Sequence, residues 1–213
     1  MNTTGSVRRG PGRPGYDIDS LLAVAVEVFN ERGYDRSSME DLARRLGIAK
    51  SAIYHHVESK DELLRLALDR ALDALFELAD RTRGLDRPAV ERLEHLVRGS
   101  VTVLQQQLPY VTLLLRLRGN TDVERAALAR RRRFDSYVAE LVQQAERDGD
   151  VRTDVDPAVT ARLLFGMVNS IAEWLRPSRL PDEALADAVC AIAFDGLRVR
   201  RREGRAAAGG RPA

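Results

Sequence analysis

From residue 18 to about residue 202, apolar side chains recur at spacings of three and four, and no stretch alternates in the way a half-buried strand requires. Each periodic run has its own start and stop residues, so the pattern predicts separate helices rather than one long rod. Asp17 caps a first helix over 18–32, which carries Leu21, Leu22, Ala25, Val28 and Phe29 on one face and is stopped by Gly33. A short second helix opens at Ser37-Ser38-Met39-Glu40, read as a capping box closed by Glu40, and ends at Leu46 before Gly47. A third runs over 50–57, and Ser59 with Glu62 forms a further capping box for a long fourth ending near Arg83. Helices over 88–108, 109–118, 121–148, 157–175 and 181–202 follow. Four of these five are opened by proline (Pro88, Pro109, Pro157, Pro181) and one by Thr121 with Glu124. The expected fold is all-α with about nine helices.

The charge is distributed unevenly. The chain of 213 residues has 34 basic and 32 acidic side chains, a formal +2, but residues 1–16 carry +3 and residues 198–213 carry +5, leaving 17–197 at −6. A globally basic surface is therefore excluded, and a nucleic-acid partner must be met by a short local surface. The chain's two lysines, Lys50 and Lys60, lie in one segment. Both ends are rich in Gly, Pro, Arg or Ala and read as a basic arm (1–16) and a tail (203–213). One cysteine, Cys190, closes no intrachain disulfide, no apolar run reaches the roughly 18 residues a membrane span needs, and the start lacks a signal-peptide stretch. A cytoplasmic location is expected.

The second and third helices, joined by a glycine-containing turn of about three residues, have the layout of a helix-turn-helix. Helical periodicity turns Ala49, Ala52, Ile53 and Val57 toward Met39, Leu42, Ala43 and Leu46, leaving Lys50, Ser51, Tyr54 and His55 outward. All four can donate hydrogen bonds and none is acidic. Lys60 and the backbone amides of Ser37 and Ser38 flank that face and suit phosphates. A helix whose Lys50, Tyr54 and His55 are merely solvated is the plainer alternative.

The stretch 33–64, GYDRSSMEDLARRLGIAKSAIYHHVESKDELL, resembles the DNA-binding domain of the TetR family of bacterial transcriptional regulators. The features that agree in register are the Gly-Tyr after the first helix, the hydroxyl pair, Leu-Ala before the glycine turn, Tyr-His, and Ser-Lys-x-x-Leu. The resemblance implies a homodimer on a two-fold-symmetric double-stranded DNA operator, with a small-molecule effector in the larger helical domain. It further implies that Lys50, Tyr54 and His55 touch phosphates or base edges and that Lys60 touches phosphate. On this reading 17–62 is the DNA-binding domain and 63–202 the ligand-binding and dimerisation domain. In the arm, Gly12-Arg13-Pro14 resembles a core that lays an arginine into the minor groove, making Arg13 a candidate contact. On a three-residue match, a basic leader with no such contact is the stronger reading.

The helix over 121–148 has a seam through Val123, Ala127, Phe134, Val138, Leu141 and Ala145, and Arg130 and Arg131 interrupt it where apolar residues are expected. A guanidinium held against a core needs an anion, either on a ligand or on an internal acid, unless it snorkels to solvent. Arg116 and Arg118 are further candidates for the same anion. LLLRLRGN over 113–120 and GMVNSIAEWLRP over 166–177 resemble a TetR subgroup responsive to acyl-CoA thioesters, which implies arginines for phosphates and Phe165, Met167, Trp174 and leucines for the acyl chain, with Phe134 beside them. A neutral hydrophobic inducer is the alternative. The last two helices, with Leu163, Met167, Trp174 and Ile192, are the expected dimer surface. Catalysis finds little support: His55 and His56 are adjacent, His95 is remote, and Cys190 lies in an Ala-rich helix with no histidine near in sequence. No enzyme activity, metal or cofactor is expected.

Overall fold

The computed structural model describes residues 17–175 and 182–197. The arm with Arg13, the stop at Arg176-Pro177, Pro181 and the tail lie outside the described residues. Those described form nine helices: α1 (Ile18–Arg32), α2 (Met39–Leu46), α3 (Lys50–Ile53), α4 (Lys60–Arg83), α5 (Ala89–Gln106), α6 (Leu108–Leu115), α7 (Asp122–Arg147), α8 (Pro157–Trp174) and α9 (Asp182–Leu197). They divide into two compact units, the first ending at Asp69 and the second beginning at Arg70. The division falls inside α4, whose buried Leu63, Leu64, Ala67 and Leu68 belong to the first unit. No described helix is long and apolar enough to cross a membrane.

In the first unit, Asp17 accepts from the Ser20 N–H at 2.7 Å to start α1, and Gly33, at φ 85°, ends it. Leu21, Leu22, Ala25, Val28 and Phe29 are buried, as their spacing requires, and Phe29 meets Tyr34 edge-on at 5.2 Å. Gly47 at φ 65° makes the turn out of α2, a left-handed conformation that favours glycine. Two expectations are corrected here. The cap of α2 is Ser38 with Asp41, not with Glu40: the Asp41 N–H donates to the Ser38 hydroxyl at 3.2 Å and the Ser38 N–H to the Asp41 carboxylate at 3.0 Å. Helix α3 is also shorter than expected. Residues 54–56 form a turn closed by the His56 and Val57 N–H groups on the Ile53 carbonyl, in keeping with weak helix formers from Ile53 to Val57 and no side-chain cap at Ala49.

In the second unit, α5 packs on α7, α8 and α9, and α7 packs on α8. Of the α7 seam, Ala127, Phe134, Val138, Leu141 and Ala145 are buried and Val123 is half-buried. The buried Glu124 carboxylate does not reach back to its cap. It accepts from the N–H groups of Arg118, Gly119 and Asn120 at 2.7–3.2 Å and so holds the turn between α6 and α7. On α8, Leu164, Val168 and Ile171 are buried, while Leu163 and Trp174 are exposed.

Candidate DNA-reading face and effector cavity

In the first unit Ile53 and Val57 are buried over α2, while Lys50, Ser51, Tyr54 and His55 are exposed together. The outward set therefore stands, although Tyr54 and His55 sit on the turn that ends α3, and Ala49 is exposed rather than packed. The Lys50 ammonium lies 5.8 Å from the centroid of the Tyr54 ring and is ion-paired with Glu40 in the first turn of α2. The hydrogen bond from Lys50 holds the Glu40 carboxyl below the usual carboxylate range, and the same bond raises Lys50.

The flanking residues have partners within the fold. The Ser37 N–H donates to the Tyr34 carbonyl at 3.1 Å, and its buried side chain donates to the Gly33 carbonyl at 2.6 Å. The Ser38 N–H is held by Asp41, so both amides already have partners within the fold. Lys60 donates to the carbonyls of Tyr34 and Ser37 at 3.0 and 2.9 Å and lies over the Tyr34 ring, tying the turn between α1 and α2 to α4. Sequence reasoning passed over two exposed cations, Arg36 and Arg44, and the contact of Glu40 with Lys50. Arg44 lies 3.4 Å from Asp41 and projects from α2 with a largely exposed side chain.

Two adjoining cavities lie among the described residues of the second unit. The inner one, about 30 Å³, is mainly apolar, with Leu72, Val103, Leu114, Phe134 and Phe165 in its wall. The outer one, about 400 Å³, has Arg131, Arg132, Arg162 and Asp135 in its wall between α7 and α8. Arg131, Asp135, Phe165 and Asn169 belong to both. Three arginines and one aspartate thus line the outer cavity. Partial desolvation raises the Asp135 carboxyl, and the charges of Arg131 and Arg162 oppose that rise.

Of the eight effector candidates, the structure gathers Arg131, Phe134 and Phe165 at these cavities, with the two rings edge-on at 5.2 Å. Arg130 points elsewhere, ion-paired with Asp73 and 5.5 Å from the Phe76 ring centroid, so its partner is an internal acid. Arg116 caps the end of α6 and Arg118 lies in the turn that follows; both are exposed and line neither cavity. Met167 and Trp174 also lie outside both linings, Trp174 with 51% of its surface exposed. Arg162 and Asn169 were missed because a polar residue one helical turn from an apolar stripe reads as surface in sequence.

A family model described as bacterial regulatory proteins of the tetR family matches residues 21–67, and one for a tetracyclin repressor-like C-terminal domain matches residues 86–197. The chain belongs to the TetR family. This regulator is 55% identical to a TetR-family regulator of Streptomyces coelicolor A3 of solved structure, with a TM-score of 0.79, covering 84% of this chain and 91% of that one. It is 28% identical to the transcriptional repressor KstR2 of Rhodococcus jostii over 83% of this chain and 89% of that protein. It is also 28% identical, with a TM-score of 0.72, to AibR in complex with isovaleryl coenzyme A and operator DNA, covering 83% of this chain and 97% of that one. The TetR-family regulator described here therefore has the fold and the two matched domains of a ligand-responsive DNA-binding protein.

Proposed function

We propose that this TetR-family regulator is a homodimeric, cytoplasmic repressor. It acts by binding rather than by catalysis, and an effector that joins an apolar body to an anionic head releases it from a two-fold-symmetric operator. Lys50, Ser51, Tyr54 and His55 form its reading face. The observation that carries the effector class is the adjoining of an apolar inner cavity to an outer one walled by Arg131, Arg132 and Arg162. Guanidinium groups pair well with phosphate and carboxylate, and the apolar wall beside them suits an acyl chain once the inner cavity of about 30 Å³ widens. An acyl-CoA thioester has both, and AibR, a relative at 28% identity, is seen with one.

Titration of the protein on fluorescently labelled DNA from upstream of its own gene tests this reading. Acyl-CoAs of graded chain length, free coenzyme A, free fatty acids and an uncharged apolar compound are the arms. Release by an acyl-CoA at micromolar concentration, with free coenzyme A inactive, is expected. Release by the uncharged compound alone would assign a neutral effector, and release by no arm would remove the class.

A further inference from the structure

Glu40 places beside the outward face of the helix-turn-helix a carboxylate that a DNA-binding surface does not need. Glu40 is exposed, it lies in the first turn of α2, and it is ion-paired with Lys50, the first residue of the reading helix. Phosphate repels a carboxylate so placed. The groups in the major groove that attract it are the amino groups of cytosine and adenine. An ammonium beside it seeks acceptors, and guanine offers two, O6 and N7, against one on thymine. A C·G pair presents the cytosine amino group directly beside guanine O6, which is the complement of a carboxylate directly beside an ammonium.

We infer that Glu40 and Lys50 read one C·G pair in each half-site as a unit, Glu40 accepting from cytosine N4 and Lys50 donating to guanine O6 and N7. The ion pair need not break for this. An ammonium has three hydrogens and a carboxylate about four acceptor positions, so each keeps capacity beyond the other. Holding the two side chains together fixes their rotamers before DNA arrives, which lowers the ordering cost of the contact. The pair is also neutral as a unit, so it releases no counterions and contributes sequence preference without general attraction. Nearby Arg44 and Arg36 remain as cations for the backbone. The inference rests on the reading face proposed above.

Selection of binding sites from a random duplex library with the full-length protein comes first. Competition binding with every base at every selected position follows, for wild type, Glu40→Gln and the Glu40→Ala/Lys50→Ala double variant. In wild type a C·G pair is expected at one position of each half-site, preferred by roughly tenfold to a hundredfold. Glu40→Gln shifts that position toward adenine, the base an amide side chain pairs with, and steepens the salt dependence of binding by about 0.9 in log–log slope because Lys50 is freed for phosphate. The double variant loses the preference at that position alone and keeps the wild-type slope. Unchanged base preference in Glu40→Gln, with affinity raised uniformly, would overturn the inference and leave Glu40 a mere competitor for Lys50. An A·T preference that Glu40→Gln leaves intact would overturn it as well. Failure of wild type to select any sequence would remove the reading face itself, an outcome distinct from the others.

Discussion

The Lys60 ammonium lies 4.1 Å from the centroid of the Tyr34 ring and also donates to the Tyr34 carbonyl at 3.0 Å. One cation thus satisfies a backbone acceptor and an aromatic face in the turn that leads into α2, and a second bond to the Ser37 carbonyl fixes the residue before the cap. These contacts give Lys60 the expected role of positioning the proposed reading face. Lys60→Ala is expected to lower stability by about 1–3 kcal/mol, from charged hydrogen bonds and the ring contact. Operator affinity should fall while the salt slope holds, since no phosphate contact is lost. A slope reduced by about 0.9, read from binding between 50 and 200 mM salt, would instead assign Lys60 to phosphate.

Acid should weaken the first unit through a defined set of carboxyls. Hydrogen bonds from Ser20 lower Asp17, that from Arg45 lowers Glu31, and those from Ser38 lower Asp41. In each, the folded group binds its proton less readily than the unfolded one, so the stabilisation is present above the ordinary carboxyl range near 4 and is lost as pH falls through the lower folded value. Thermal melting should be nearly flat from pH 7 to 5 and fall below about 4.5. Asp135, raised by desolvation, works in the opposite sense, since protonation relieves its cost. Asp41→Asn should flatten the acid limb relative to wild type, and an unchanged limb would contradict the assignment. At neutral pH, Ser38→Ala should cost about 1 kcal/mol through loss of the cap.

The periodic features of this protein were legible in its sequence, and the pairwise ones were not. The register of Leu21, Ala25, Phe29, Leu42, Leu46 and Ile53 follows from helical spacing, because burial of one face imposes that period. Outward exposure of Lys50, Ser51, Tyr54 and His55 follows by subtraction. Which partner a polar side chain takes depends on ångström-scale geometry between elements, which spacing does not encode. Asp41 displaced Glu40 in the cap because it occupies the third helical position from Ser38, which freed Glu40 to meet Lys50 across the turn. The same limit applies to the arginine run, where Arg130 and Arg131 are neighbours in sequence but point to an internal acid and to a cavity respectively.

That divergence separates two adjacent substitutions. Arg130→Ala removes the partner of Asp73 and the cation over Phe76, so it should lower the melting temperature modestly and leave effector release unchanged. Arg131→Ala removes a guanidinium common to both cavities, so it should leave melting nearly unchanged and raise the anionic effector concentration for half-release by roughly tenfold. Operator-release titrations and thermal melts on both variants check the pair, and reversed effects would show that Arg130 is the residue meeting the ligand.

The outer faces of α8 and α9 give the last prediction. Leu163, Trp174 and Ile192 expose 65%, 51% and 70% of their surfaces, beside Gly166 and Ser170 on α8 and Ala188 and Ala191 on α9, which are small enough for close helix approach. A large exposed side chain ringed by small ones is arranged to be covered by another helix, and a two-fold pairing of both helices with their copies makes a four-helix bundle. Wild type should sediment as a dimer at micromolar concentration. Leu163→Glu or Ile192→Glu places a carboxylate in that contact without touching the core, so helical content by circular dichroism should be retained while the protein sediments as a monomer. Losing the second half-site contact should then lower operator affinity about a hundredfold or more. A dimer that survives both substitutions would place the interface on another surface of the second unit.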